Sequence, residues 1–332
     1  MSKKPIFERM LGVDRKWLYA LMFLAVLIPF ILKMTYNTYE TSEVASIYNE
    51  IEKIYEYNKN NPEDIRAVWV AMDYSPGTNA ELDPMAAAIL RHAFLRKIPV
   101  ISWTGLQDNI TLAERLINTI AKDYAAVYGV DYVFLGWPYP WVQAVIGCSS
   151  NIRGFFPVDH YGNETKKLPI LDKIPNFAKV DLVVTISGTA YPRSYVTYVN
   201  GLFNKKIATG TTAVSAAEFY PYLQSGQMIG LMGGLKGAAE YEQMSERLEK
   251  SIVGDDVRTY LANLYAGKDT ALYSEKYYSP SFNEVQLNAS LERRYQARRG
   301  MAPQASAHFL IIGLIIVGNI CFFMKRKYDA KV

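Results

Sequence analysis

The chain has 332 residues and a formal charge of only +4. A balance this slight implies no basic surface for neutralising a phosphate backbone, and nucleic acid is not expected as a partner. Two cysteines, Cys148 and Cys321, rule out a disulfide framework, and no Cys/His cluster has metal-ligand spacing, so neither a metal nor a cofactor is expected.

Residues 1–16 form a basic tail with Lys3, Lys4, Arg9, Arg15 and Lys16. Apolar residues then run from Trp17 to Leu32, and with Lys33 and Met34 the stretch 17–34 reads as a transmembrane helix. Trp17 suits the interface and Lys33 can snorkel. No small-residue cleavage site follows, so the run reads as an anchor rather than a signal peptide. Residues 35–62 read as a stalk, because Val44, Ile47, Ile51, Ile54 and Tyr55 recur at helical spacing between Ser42 and Asn58.

Residues 63–300 read as a water-soluble domain. A strand over Ala67–Met72 leads to a turn at Ser75–Thr78 and a helix capped by Asp83 with Pro84 in its first turn. A strand over Pro99–Trp103, a helix opened by the capping box Thr111/Glu114 and a strand over Asp131–Trp137 follow. Residues 138–179 interrupt the rhythm with Pro, Gly and aromatic residues. They read as a long loop and a possible lobe boundary, with a short helix over Trp141–Cys148. Strands over Val180–Ser187 and Lys206–Thr211 flank a helix that starts at Pro192 or Ser194. Helices over Ala213–Leu223 and Gln227–Lys250 precede two more, starting at Asp255 and Ser281. This alternation predicts an α/β fold, a Rossmann-like or periplasmic-binding-like parallel sheet domain.

A second apolar run, Phe309–Met324, makes 305–324 a transmembrane helix, and 325–332 is a tail opening with Lys325, Arg326 and Lys327. The domain is thus flanked by one transmembrane helix at each end. Positive flanks on both runs place both termini in the cytoplasm and the domain in the periplasm or outside the cell. Arg293, Arg294, Arg298 and Arg299 stand against that rule; lipid phosphates or an acidic partner would account for them.

Ligands in open α/β sheets bind beyond the carboxyl ends of the strands. The candidate ligand-binding residues are therefore Asp73, Ser75, Thr78, Thr104, Ser187, Thr189 and Thr211, which parallel strands deliver to one edge. Turn formation explains the same residue types equally simply. A hydrolytic triad would draw its base from His92 or His160 and its nucleophile from Ser75 or Ser187, but no nucleophile-elbow motif is present. Gly226, Gly230, Gly233, Gly234 and Gly237 recur at a spacing of four, which on a helix makes a smooth face for close packing within the domain or against another membrane protein.

In layout alone, terminal helices around an extracytoplasmic α/β region, the chain resembles auxiliary membrane subunits of ABC-type export or motility systems. The expectation is a binding or assembly subunit of a larger membrane complex, with the lipid bilayer, a second membrane protein and a small-molecule ligand as partners. The alternative is a membrane-tethered hydrolase working at the strand-end crevice.

Overall fold

The structure, a computed structural model, describes residues 5–254, 256, 259 and 284–330. The expected helix starts at Asp255 and Ser281 lie outside these residues. Contacts divide the chain into two compact units, Asn37–Ala297 and the two terminal segments Met1–Tyr36 with Arg298–Val332.

The first unit is built on six strands: β1 (Ala67–Asp73), β2 (Val100–Trp103), β3 (Tyr132–Phe134), β4 (Val180–Ser187), β5 (Lys206–Thr211) and β6 (Gly230–Gly233). They lie in the order β3-β2-β1-β4-β5-β6, and every neighbouring pair is parallel. The chain starts at the centre, steps outward to β3, returns to the far side of β1 and steps outward again. This is the Rossmann strand order, with its switch point between β1 and β4. A parallel sheet is covered on both faces, which is why β1, AVWVAMD, is buried at every position. Trp69 anchors the core, edge-on to Trp103 at 4.7 Å and to Phe177 at 5.0 Å between ring centroids.

Three expectations need correction. Residues 138–179 are not a lobe boundary. They belong to one crossover, which carries helices Trp141–Ser150, Ile152–Phe155 and Ile170–Lys173 and buries Ile152, Phe156, Ile170 and Leu171. The crossover is long because it must pass from β3 at the sheet edge, over β2 and β1, to β4. The stalk is likewise part of the fold: helix Ser42–Asn60 buries Val44, Ile47, Ile51 and Ile54.

The third correction concerns the glycines. The helix expected from Gln227 starts only at Gly234, because Gly230–Gly233 pairs with β5 as β6. Gly226, Gly230 and Gly233 therefore share no helix face with Gly234 and Gly237. Gly226 turns the chain before β6 at φ +74°, and Gly233 lies close to Ala216. Gly230 admits the Ser42–Asn60 helix: a Cβ there would stand 2.4 Å from Ile47 Cγ1 and 2.5 Å from the Glu43 carbonyl oxygen. Gly234 sits at φ +59° against Ala213, a conformation that favours glycine. Gly237 does lie in a helix, where a Cβ would meet the Met232 backbone at 2.8 Å. The domain itself covers these close approaches.

In the second unit, a helix over Arg15–Ile31 and the first part of the chain meet the long helix Gln296–Asp329. The Phe7 and Tyr328 rings lie 5.7 Å apart, and at the other end the Tyr36 N–H donates to the Arg298 carbonyl at 3.3 Å. The two segments are therefore antiparallel. Gln296–Asp329 contains an 18-residue window of mean hydropathy 2.3 and is long and apolar enough to cross a membrane. The amino-terminal helix has 17 residues, about 25 Å at the usual rise.

Candidate functional site

The register places Asp73 opposite Ser187, Ser187 opposite Thr211 and Thr211 opposite Gly233, so one row of residues crosses the carboxyl end of the sheet. Asp73 and Ser187 come together at the switch point although more than a hundred residues separate them. Asp73 is fully buried. One carboxylate oxygen accepts the Gly105 N–H at 2.5 Å and the other accepts the Thr185 hydroxyl at 3.1 Å, and the Tyr195 hydroxyl also bonds to the carboxylate. Burial pushes the Asp73 carboxyl up to about 7, against the opposing pull of those three donors. Its backbone carbonyl accepts the Ser187 hydroxyl at 2.9 Å, and Ser187 and Thr189 share a hydroxyl bond of 3.0 Å.

An aromatic layer closes over this centre. The Tyr191 hydroxyl donates to the Gly105 carbonyl at 2.6 Å, and the Trp137 indole donates to the same oxygen at 3.2 Å. Gly105 must lack a side chain, since a Cβ would lie 2.5 Å from the Tyr191 ring and 3.0 Å from Asp73. The Trp103 indole donates to the Tyr195 hydroxyl at 2.7 Å, and Trp141 stands edge-on to Tyr191 and Tyr195 at 5.6 and 5.0 Å. Burial raises both tyrosines, with the nearby Asp73 adding to the effect, so both remain protonated donors.

The other expected residues are dispersed around this centre. Thr78 bonds the Ser75 carbonyl within its own turn at 3.1 Å, and its side chain packs on Gly188, so the loops after β1 and β4 touch. Ser75 lies half-buried in that turn. Thr104 bonds within the β2 loop, to the Leu106 carbonyl at 3.1 Å. Thr211 is buried, and its hydroxyl makes no hydrogen bond among the described residues. Thr185, Tyr191 and Tyr195 were not expected; the tyrosine-rich run after β4, YPRSYVTY, is the signal that could have found the two tyrosines, whereas nothing in the sequence marks Thr185 within β4.

The hydrolytic candidates do not converge. His92 is buried in the core, where Nε2 faces Glu52 at 2.6 Å and Nδ1 faces the Tyr241 hydroxyl at 2.8 Å. His160 Nε2 faces Glu114 at 3.5 Å, while Asp73 and Thr189 hold the Ser187 hydroxyl. Burial raises the Cys148 thiol, which keeps it protonated. Among the described residues no three His, Cys, Asp or Glu side chains group as metal ligands. The turn from β1, Asp73–Thr78, contains one glycine instead of the glycine-rich run that lets a dinucleotide pyrophosphate approach a Rossmann helix. The unit Asn37–Ala297 is thus a Rossmann-like α/β domain whose switch point is closed by its own side chains. Comparisons with protein-family models, with curated proteins and with solved structures find no match to this chain.

Proposed function

We propose that the chain is a two-pass membrane protein with cytoplasmic termini, and that its α/β unit is an extracytoplasmic binding or assembly module of a larger membrane complex. One observation carries the binding reading. The groups that could do chemistry at the switch point, Asp73 and Ser187, are bonded to the protein itself, and the edge offers aromatic surface instead. Tyr139 is 75% exposed beside the half-buried Trp137, at 5.4 Å between rings, and the half-buried Trp141 and Tyr198, from distant parts of the chain, stand 6.2 Å apart. An exposed tyrosine set among partly accessible aromatic rings is the kind of surface that anchors protein interfaces.

The antiparallel meeting of the terminal segments supports the topology, since it brings both termini to one end of the pair. Two arginines that opposed the positive-inside rule also lose their force: Arg293 pairs with Asp123 and Arg294 with Glu249, inside the domain. Ser42 is exposed, and a cysteine placed there is expected to react with an impermeant thiol reagent in intact cells. Protection of that cysteine, with labelling of one in the terminal tails, would reverse the topology. Complexes purified from native membranes with Tyr139→Ala are expected to lose co-purifying proteins that the wild type retains. An unchanged set would remove the aromatic edge from the reading.

A further inference from the structure

Within its apolar run, Phe309–Met324, the carboxy-terminal helix has one strongly polar side chain, Asn319. The side of the helix that meets the amino-terminal segment is apolar: Leu314, Val317, Gly318 and Cys321 line a groove with Met10 and Leu18. At 100° per residue, Asn319 lies away from Cys321, in a stripe with Ile312, Ile316 and Phe323, and all four are exposed. The carboxamide has no hydrogen-bond partner among the described residues.

The consequence rests on the reading of this helix as a span. Asn319 lies six positions before Lys325, which puts it about 9 Å inside the hydrocarbon at the usual helical rise. No water is present there to satisfy two donors and an acceptor, so a polar side chain facing lipid calls for a partner helix. We infer that this partner is a second copy of the chain, paired through Asn319. A second copy inserts with the same topology and so presents a carboxamide at the same depth. The carboxamide is self-complementary, donating through nitrogen and accepting through oxygen, which suits the two-fold contact of a homodimer. Isoleucine and phenylalanine flank it, so the helices are held apart by large side chains, and the polar pair fixes their register.

The test uses the full chain reconstituted in bilayers, with donor- and acceptor-labelled copies followed by energy transfer as lipid is added. Wild type and Asn319→Gln are expected to associate alike. Asn319→Leu, which keeps the size of the side chain and suits the lipid better, is expected to weaken association by roughly 3- to 30-fold. Equal energy transfer for Asn319→Leu and wild type would overturn the pairing, as would a wild type that is monomeric at every lipid ratio. A cysteine at Ile316 cross-linking to a different membrane protein in native membranes, and not to its own copy, would also overturn it. Alkaline extraction separates the two layers of the inference: release of the chain overturns the span and the pairing together, whereas a retained but monomeric chain overturns the pairing alone.

Discussion

Two carboxylates inside the α/β unit behave in opposite ways, Asp73 at the end of β1 and Glu52 on the Ser42–Asn60 helix. Both accept several hydrogen bonds, so the number of bonds does not separate them. Burial raises Asp73 to about 7, because all its partners are neutral donors. Burial also pushes Glu52 upward, but hydrogen bonds from His92 and Arg96, together with the Arg96 charge, outweigh it and bring Glu52 down to about 2. Arg96 forks onto both Glu52 oxygens, with its Nε donating at 2.9 Å, and stacks on the Tyr55 ring at 4.1 Å. His92 is lowered by its own burial, so its neutral ring donates from Nε2 to Glu52 while Nδ1 accepts from Tyr241. A cation, more than a count of donors, decides whether a covered carboxylate stays charged.

The largest expected effect is on the pH dependence of stability. Between about pH 4 and pH 7 the folded state keeps the Asp73 proton that the unfolded state has released, so the contribution of this group to stability falls as pH rises through that window. A shift from 3.8 to about 7 corresponds to about 4 kcal/mol across the window. Asp73→Asn removes the titration while keeping an acceptor for Gly105. Its thermal midpoint in detergent is expected to lose that slope and to exceed the wild-type value at pH 8. Parallel pH profiles for the two proteins would show that Asp73 is not held near neutral.

Glu52 carries the opposite sign. Its folded value is depressed, so its stabilisation is full above the unfolded value of 4.5 and is lost as pH falls toward 2. Arg96→Met strips the cation and leaves the carboxylate half-buried. A loss of about 1–2 kcal/mol at pH 7 is expected, discounted for the solvent that reaches the pair. The acid-unfolding midpoint is also expected to move to higher pH. An unchanged acid limb would assign the depression to His92 alone.

The smallest effect sharpens the comparison from the Asp73 side. Thr185→Val removes one neutral donor and costs about 1 kcal/mol. It is also expected to raise the Asp73 carboxyl further, extending the falling limb of the stability profile to higher pH. A profile that merely drops by a constant amount would mean that the Thr185 hydroxyl does not distinguish the two charge states.

How legible these features were in the sequence follows from their physics. β1 and β4 are largely apolar runs bounded by turns, and their observed ends, like those of the more mixed β5, fall within a residue of the expected ones. β6 has only four residues, two of them glycine, and an i, i+4 glycine spacing is as compatible with a helix as with a strand that another helix presses upon. The meeting of Asp73 and Ser187 follows from parallel pairing alone. The aromatic cover does not: Tyr191 crosses from β4 to the β2 loop, and nothing in the spacing of residues along the chain records a contact made across two strands. The seat of the Ser42–Asn60 helix is hidden for a similar reason. An amphipathic helix announces that it has a buried face, while its partner, Gly230, is recognisable only once β6 is known to be a strand.

That last contact also orders the making of the protein. Ile47 and Glu43 belong to the first helix of the α/β unit to leave the ribosome, and Gly230 belongs to the last strand of its sheet. The apolar face of Val44, Ile47, Ile51 and Ile54 therefore has no final seat until nearly the whole unit has been synthesised. During that interval the nascent chain presents a sticky helix next to its first apolar segment. Chains cut short before β6 should keep that face open and be recognised as unfinished, whatever the state of the five strands already made.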